Sequence, residues 1–320
     1  MCITKHISGM THNQTHKIIL IFLDGFGIGK ASRTNPFVSA SMPFIRSLLG
    51  GPLTSGLEID SPALLFKGVD ATLGVDGLPQ SATGQTALLT GINAAALLGE
   101  HLPAFPDEQL IQVIQKHSIL KQVVDAGLSA TFANAYTKLY FQQVSQRKLL
   151  HSVTTHCVLA AKIPFRTTED LLSGNAVYWD IMRNHIVERG EPEVPQISPA
   201  EAGGHLAGLS HSHNLALYEC FLPDLIGHDD AWDAAVELLG MLDQFLEAVC
   251  NRRDSSTTIV LSSDHGNIEA MECPDHTTNP VPLLAVGPAA KYFAEVESIT
   301  GVCGAVFESL GIAAVAHDGA

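Results

Sequence analysis

Three short apolar runs, each leading to an aspartate, constrain the fold of this chain more than any other feature. They are Lys17–Leu23 (KIILIFL), Asn214–Leu222 (NLALYECFL) and Thr257–Leu261 (TTIVL). Continuous runs rich in aliphatic and β-branched residues are typical of strands buried on both faces, as parallel strands are. The aspartates that follow them are Asp24, Asp224 and Asp264. The pattern therefore predicts a parallel sheet with acidic side chains at the carboxyl ends of its strands.

Helical patterns alternate with these strands. Ser198-Pro199-Ala200-Glu201 is a capping box with proline at the first helical position, and it opens a helix that runs to about Leu209. The other predicted elements are helices over Ser41–Leu49, Ser118–Ala126, Ala231–Cys250 and Ala305–Leu310, a turn entering a helix over Ser81–Thr90, and strands over Ser129–Ala135 and Leu283–Val286. Alternating strands and helices predict an α/β fold, with a mostly parallel central sheet and helices on both faces.

Length and charge narrow the functional classes. The 320 residues suit one large α/β domain, or a core domain that carries a small second one. The net charge of −15 and the absence of a Lys/Arg-rich stretch argue against nucleic-acid binding, and an acidic surface repels anionic membranes. If the substrate is a phosphate, bound cations must reverse this field locally.

The cysteines and the N-terminal segment indicate a cytoplasmic protein. The six cysteines are irregularly spaced and form no CxxC pair, which favours reduced, mostly buried thiols. Residues 1–16 are polar and lack the apolar core of a signal peptide, so we expect a loose tail.

The polar residues that follow the strands have the composition of a metal site. Ligands in open α/β sheets bind outside the carboxyl ends of the strands, where the three aspartates would converge. Carboxylates this close repel one another unless cations lie between them. His228, His265 and His276 follow in the same segments, and Asp with His is a ligand mixture for Zn²⁺ or Mn²⁺. A lone aspartate after a strand is more often a turn former or a helix cap, but three aspartates and three histidines together favour metal binding.

Four motifs resemble those of a known family. They are FLDGFG (Phe22–Gly27), PDLIGHD (Pro223–Asp229), SDHGN (Ser263–Asn267) and HTTNPVP (His276–Pro282). Their order and spacing resemble the cofactor-independent phosphoglycerate mutase and phosphopentomutase group of the alkaline-phosphatase superfamily. The resemblance covers about residues 17–94, 118–135 and 196–312, and it implies an alkaline-phosphatase-like sheet.

The resemblance also implies two divalent metal ions. One ion would be held by Asp224, His228 and His276, and the other by Asp24, Asp264, His265 and the nucleophile. The family leans to Mn²⁺ for this pair. By donor chemistry alone, the nitrogen-rich first site would accept Zn²⁺, and the oxygen-rich second site suits Mn²⁺ or Mg²⁺.

The family's nucleophile is a Ser or Thr three residues before a glycine, which here is Ser81 before Gly84. A serine hydroxyl is a poor nucleophile at neutral pH, and metal coordination lowers its pKa. A helix N-terminus behind the serine would favour the alkoxide and an incoming phosphate. Two alternatives remain at this point: Ser81 only caps the helix, or Thr83 is the nucleophile.

The chain departs from the mutase pattern in two places. The mutases carry Gly-His after the nucleophile, whereas this chain has Gly84-Gln85. They also insert a large second domain after the nucleophile helix, and residues 95–117 are too few to form one. We therefore expect a core domain of residues 17–135 and 196–320, with residues 136–195 as a small cap or substrate region.

The cap region is richer in Lys and Arg than the rest of the chain, at Lys138, Arg147, Lys148, Lys162, Arg166 and Arg183. These cations could form a solvated face, or some could grip an anionic substrate. Gln85, Lys138 and Arg166 are the candidates for substrate contacts. Tyr178 and Trp179 are interpreted as the core of this small region.

Three functions follow from these features. The reduced cap favours a phosphomonoesterase that acts on a small phosphorylated metabolite through a phosphoserine. The motif match favours a phosphomutase, in which the dephosphorylated substrate would turn around and take the group back. A metal-binding protein without turnover is the third possibility, and retention of all seven implied ligands argues against it.

Overall fold

A computed structural model describes residues 16–273 and 275–313. The predicted tail therefore lies, apart from His16, outside the described residues, as does Cys2. The strands are β1 (Lys17–Leu23), β2 (Ile59–Ser61), β3 (Leu64–Val69), β4 (Ala130–Phe132), β5 (Ala135–Tyr136), β6 (Arg166–Thr167), β7 (Leu215–Cys220), β8 (Thr257–Ser262) and β9 (Val281–Val286). Seven of them form one sheet in the order β2-β3-β9-β8-β1-β7-β4, and β5 pairs with β6 in a separate ladder.

Helices cover both faces of the sheet, as the sequence predicts. They are α1 (Pro36–Ser39), α2 (Pro43–Leu49), α3 (Ser81–Thr90), α4 (Ala94–Leu98), α5 (Glu108–His117), α6 (Ile119–Asp125), α7 (Lys138–Ser145), α8 (Val153–Ala161), α9 (Thr168–Leu172), α10 (Pro199–Leu209), α11 (Leu222–His228), α12 (Trp232–Arg252) and α13 (Ile299–Ser309), with a 3₁₀ turn at Ala290–Phe293. Within the described residues, no helix combines the length and apolar character needed to cross a bilayer.

The interior strand β1 contributes side chains to two hydrophobic cores, one on each face of the sheet. Its residues alternate between the two faces, as every strand's residues do, and here both faces are buried. Ile18, Leu20 and Phe22 join the core under α3, α5, α6, α8 and α13. Ile19 and Ile21 join the opposite core, under α2, α10 and α12. The prediction of a strand buried on both sides is therefore confirmed.

The sheet is half parallel and half antiparallel. β4, β7, β1 and β8 pair in parallel, and for β1, β7 and β8 this was predicted from their apolar runs. β9 is antiparallel to β8, and β3 and β2 continue that half with antiparallel pairing. The short β2–β3 hairpin was not predicted, because its strands at this edge of the sheet lack a long apolar run.

Capping residues set several helix boundaries where the sequence places them. Ser198 caps α10 by accepting from the backbone N–H of Glu201, and Gly50 ends α2 in the left-handed conformation. The predicted strand Asn214–Leu222 is too long by comparison, since β7 ends at Cys220. The helix α11 then begins at Leu222, which places Asp224 in the first turn of a helix.

Residues 136–195 contribute to two parts of the molecule. The helix α8 packs against α3, α5 and α6, so it belongs to the core on that face of the sheet. A separate small cluster includes Tyr178 and Ile186, with Trp179 packed against it. The division of the chain into a core and a cap stays a prediction.

Candidate metal centre

The three predicted aspartates converge at one edge of the sheet. Because β7, β1 and β8 are adjacent and parallel, their carboxyl ends meet there. Asp24 directly follows β1, and its backbone N–H donates to the carbonyl of Cys220 on β7 at 3.0 Å. Asp224 lies in the first turn of α11, and Asp264 follows β8 by two residues.

Asp224, His228 and His276 form the first group of possible ligands. Asp224 Oδ1 lies 3.5 Å from His228 Nε2 and 3.4 Å from His276 Nε2, and the two Nε2 atoms are 3.1 Å apart. His276 Nδ1 lies 2.7 Å from the carbonyl oxygen of Pro79, to which it donates. That hydrogen bond leaves the lone pair on Nε2, the atom that faces the other two ligands.

Asp24, Asp264 and His265 form the second group. His265 Nε2 lies 3.3 Å from Asp24 Oδ1 and 3.5 Å from Asp264 Oδ2. Asp224 also approaches this group, since ligand atoms of Asp24, Asp224 and His265 all lie within 4.8 Å of one another. The His265 ring stacks on that of His276 with 3.7 Å between centroids, so the two groups are contiguous.

The second group fits a divalent cation. Asp24 Oδ1 and Asp264 Oδ2 are both buried and, apart from the contacts with His265 Nε2 given above, have no hydrogen-bond partner among the described residues. Burial and the neighbouring Asp24 raise the pKa of Asp264 well above its usual range. The same two carboxylates raise the pKa of His265 to about 10 against the opposing effect of burial, which shows that they favour positive charge here. Bound cations would satisfy the unpartnered oxygens and relieve the repulsion.

Ser81 is the first residue of α3, and its Oγ lies 3.1 Å from His265 Nε2. The close approach of α3 to the loop after β8 depends on Gly84, because a Cβ there would lie 2.7 Å from the carbonyl oxygen of Asp264. This contact gives a physical reason for a glycine three residues after the serine.

Two alternatives were left open by the sequence: Ser81 only caps α3, or Thr83 is the nucleophile. The following contacts bear on both. The cap position of α3 is Gln80, and no side chain caps this helix end. Thr83 is buried, its hydroxyl donates to the Gln80 carbonyl at 3.1 Å, and the same oxygen accepts from the backbone N–H of Leu102 at 3.3 Å. Ser81, unlike Thr83, therefore has its hydroxyl beside the histidine and carboxylates.

Comparison with known proteins identifies the family. The sequence model of the metalloenzyme superfamily matches residues 16–314. The chain belongs to the metalloenzyme superfamily. The resemblance to the alkaline-phosphatase superfamily, predicted from the four motifs, is thereby confirmed.

Individual relatives match this metalloenzyme only in part or only in fold. The 2,3-bisphosphoglycerate-independent phosphoglycerate mutase of Parasynechococcus marenigrum (strain WH8102) is 31% identical over 118 residues, which cover 32% of this chain and 21% of the mutase. The chain thus spans about a fifth of the length of the curated relatives it matches.

Two solved structures show the same fold. A Pyrococcus horikoshii protein has a TM-score of 0.57 at 13% identity, over 93% of this chain and 97% of that one. Thermus thermophilus alkaline phosphatase has a TM-score of 0.51 at 14% identity, over 98% of this chain and 96% of the phosphatase. The α/β architecture of the metalloenzyme is therefore shared with an alkaline phosphatase.

A second layer of polar residues holds the candidate ligands in place. Asn267 Nδ2 donates to Asp224 Oδ1 at 2.8 Å. The buried Glu269 accepts from the backbone N–H groups of Gly27 at 3.0 Å and Asn267 at 2.8 Å. A Cβ on Gly27 would collide with the Glu269 carboxylate, so this glycine lets the two loops meet. Asn267 and Glu269 were not predicted as site residues, although Asn267 belongs to the SDHGN motif.

A cavity of about 450 Å³ opens beside the ligands, and Ser81, Asp24, Asp224 and Gln85 line it. Gln85 Nε2 donates to Asp24 Oδ2 at 3.1 Å, so it contacts a ligand as well as the cavity. Lys138 is exposed and Arg166 donates to Thr131 and to the carbonyl of Asn175, and neither side chain lines the cavity.

The rest of the cavity wall combines aromatic and aliphatic side chains with polar ones, and it was not predicted. It comes from residues 132–155, 178–189 and 219–225, together with Ala104 and Phe105. Tyr178 and Trp179, interpreted from the sequence as core residues, pack in the small cluster and also line the cavity. These residues are scattered along the sequence and carry no periodic pattern, so the fold alone brings them together.

Proposed function

We propose that this chain is a two-metal phosphoryl-transfer enzyme that hydrolyses small phosphate monoesters through a phosphoserine at Ser81. The position of Ser81 carries the proposal. Ser81 is the first residue of α3 and lines the cavity. Its hydroxyl oxygen lies 3.1 Å from Nε2 of the candidate ligand His265. A nucleophile at that point can meet a phosphoryl group whose ester oxygen faces the cavity.

Two divalent ions would be held by the two groups of ligands described above. Mn²⁺ is the proposed metal for both, with Zn²⁺ or Mg²⁺ as alternatives. When bound, such ions lower the pKa of a coordinated hydroxyl and stabilise charge on the phosphoryl oxygens. The N-terminus of α3 adds backbone N–H groups that favour a phosphate at Ser81.

The chemistry at Ser81 is a double displacement. Its Oγ forms a bond to phosphorus as the bond to the ester oxygen breaks. The hydroxyl proton of Ser81 passes to water, and the leaving alcohol takes up a proton from water, so that no net proton is gained or lost. A water molecule then attacks the phosphoserine, releases inorganic phosphate and restores the serine hydroxyl. Gln85 donates a hydrogen bond to Asp24 Oδ2 and would keep the other oxygen of that carboxylate directed toward His265 during both steps.

A phosphomutase is the second candidate, and the partial match to phosphoglycerate mutases favours it. The segment between α3 and α6 argues for hydrolysis, because it contains only α4, α5 and short loops. A mutase must hold its dephosphorylated intermediate away from water while the intermediate turns around. The half-buried state of Ser81 gives water a route to the phosphoserine.

The test compares Ser81→Ala with Thr83→Val in the Mn²⁺-loaded protein. We expect the wild type and Thr83→Val to release phosphate from a panel of small esters, and Ser81→Ala to release none above background. Mass spectrometry of the acid-quenched wild type should find one phosphoryl group on the peptide that contains Ser81. Release by Ser81→Ala at the wild-type rate would refute the nucleophile, and isomerised substrate without free phosphate would establish the mutase.

The proposed substrate is a small phosphorylated metabolite, and we propose the cytoplasm as the compartment. The described cysteines, which are Cys157, Cys220, Cys250, Cys273 and Cys303, are all free, and this supports a reducing environment.

A further inference from the structure

Two chemically different groups of side chains line the cavity beside Ser81. One group is the proposed nucleophile with the candidate ligands Asp24 and Asp224. The other group is made of large apolar and aromatic side chains, which include Phe132, Tyr136, Tyr140, Leu149, Trp179 and Phe221, with Asn134, Thr137, Gln143, Ser152 and Thr155 as its uncharged polar members. The rest of a molecule whose phosphoryl group lies at Ser81 would therefore contact a largely apolar wall.

The aromatic side chains are held by their neighbours. The rings of Trp179 and Phe221 stack with 4.1 Å between centroids. The hydroxyl of Tyr136 is hydrogen-bonded to Thr155 Oγ1 at 2.8 Å, and that of Tyr140 to His151 Nδ1 at 2.7 Å. Since both hydroxyls already have protein partners, these residues offer a ligand mostly ring surface.

The wall offers little positive charge to an anionic leaving group. Among the described residues that line the cavity, Arg189 is the only Lys or Arg. Glu219 also lines it, and burial raises the pKa of its carboxyl group to about 8 although Thr154 Oγ1 donates to it at 2.7 Å. A second phosphate or a carboxylate on the substrate would find few cations here.

The rim of the cavity continues the apolar surface outward. Phe105, Leu150 and Leu225 line the cavity, and all three are among the exposed large apolar side chains of the described residues. Exposed apolar surface next to a pocket is typical of a binding site, because ligand binding removes it from water.

We propose that the cavity selects phosphate monoesters of uncharged apolar alcohols, alkyl or aryl, and discriminates against polyanionic metabolites such as phosphoglycerate. This inference rests on the proposed function and specifies its substrate class. A volume of about 450 Å³ holds an organic group of medium size, as enclosed ligand pockets of this range do.

The first experiment measures kcat/KM for straight-chain alkyl phosphates from ethyl to octyl, with 3-phosphoglycerate and glycerol phosphate beside them. We expect a rise of about three- to fourfold per methylene until the cavity is full, as the burial of a methylene predicts. The two polar phosphates should be the poorest substrates. Phosphate release that is flat or falling with chain length would overturn the inference and leave the proposed function intact.

A matched pair of variants locates the effect. Leu150 lines the cavity and is 63% exposed, whereas Leu172 does not line it and is 57% exposed. Leu150→Ala should lower kcat/KM for octyl phosphate on the order of fivefold, with little change for ethyl phosphate. Leu150→Lys should shift the preference toward 3-phosphoglycerate. Leu172→Ala should leave both profiles unchanged, and equal losses in the two alanine variants would contradict the placement.

A binding measurement keeps the inference testable without turnover. Alkylphosphonates of increasing length are titrated into the Mn²⁺-loaded Ser81→Ala protein that also carries Trp232→Phe, so that the fluorescence of Trp179 in the wall is the signal. Affinity that rises with chain length, without phosphate release from any ester by the wild type, would support the apolar cavity and refute the proposed function. Affinity that is independent of chain length would refute the inference whatever the enzyme activity.

Discussion

The metal centre and the cavity wall meet at Ser81 but are built in opposite ways. In the metal centre, carboxylates and imidazoles at the ends of three adjacent strands are fixed by hydrogen bonds, such as those from Asn267 to Asp224 and from His276 to Pro79. In the wall, aromatic and aliphatic side chains from distant segments pack against one another. The first region is specified by direction and charge, and the second by volume and apolar area. Single substitutions should therefore act in an all-or-none way in the centre and by degrees in the wall.

The largest effect is expected for Asp264→Asn, which should lower catalytic activity while it raises the stability of the metal-free protein. Loss of one carboxylate ligand should cost several kcal/mol of transition-state stabilisation, so Asp264→Asn should lower kcat/KM on the order of a thousandfold. In the metal-free protein the same variant should raise the melting temperature, because burial and Asp24 make this carboxylate unfavourable. Calorimetry and phosphate release measure the two effects.

Asp243→Asn is the matched control. Asp243 is equally buried but accepts from the backbone N–H groups of Phe44 and Ile45 at the start of α2. Its replacement should lower the melting temperature and leave the activity of the folded enzyme unchanged. If the Asp264→Asn protein kept its activity, Asp264 would not be a metal ligand.

An intermediate effect is expected one layer out. Asn267→Ala removes the donor to Asp224 Oδ1, and loss of such a partner lowers metal affinity by about 10- to 100-fold. Competition with a chelator measures this affinity. Asn279→Ala, which removes a hydrogen bond to Glu269 rather than to a ligand, should have a smaller effect. Equal affinities in both variants would mean that Asn267 does not position Asp224.

In the wall, Glu219 should make stability depend on pH. Burial raises the pKa of Glu219 from 4.5 to about 8, so between these values the folded chain keeps a proton that the unfolded chain has lost. Stability should therefore fall as pH rises through this window, by up to about 1.4 kcal/mol per pH unit, and the loss should be complete above pH 8. Glu219→Gln cannot titrate and should flatten this slope in urea unfolding of the metal-free protein. An unchanged slope would show that Glu219 is ionised in the folded state.

The smallest effect is expected outside both regions. Lys138 is exposed and does not line the cavity, so Lys138→Ala should change kcat/KM for any phosphate ester by less than about twofold, as surface charges usually do. A large loss of kcat/KM confined to phosphate esters with a second anionic group would place the Lys138 ammonium group at the site. It would also weaken the contrast between a polar centre and a largely apolar wall.

Most residues of the candidate metal centre could be predicted from the sequence, whereas few residues of the cavity wall could, and the reason is physical. A strand buried on both faces needs a continuous apolar run, and a ligand at its end must be polar, so Asp24, Asp224 and Asp264 mark their own positions. Cavity residues such as Phe132, Tyr140 and Trp179 need only be large and apolar, which makes them indistinguishable from core residues in a sequence.

The same difference explains the details that were not predicted. The β2–β3 hairpin has short strands whose pairing depends on β9, a segment more than 200 residues away. The approach of Asp224 to both groups of ligands depends on α11 starting directly after β7, a boundary that propensity does not fix. The assignment of particular ligands to particular metals stays a prediction.

The strand order has a consequence for how the protein matures. The candidate ligands lie between Asp24 and His276, and they meet only when β1 lies between β7 and β8. Contacts of such long sequence separation form late, because closing the chain over that distance is entropically unfavourable. Neither of the two candidate ligand groups comes from one local segment, unlike the ligands of a zinc finger, which are close in sequence. Metal uptake should therefore follow assembly of the sheet, and metal content would report the fraction of molecules with finished topology.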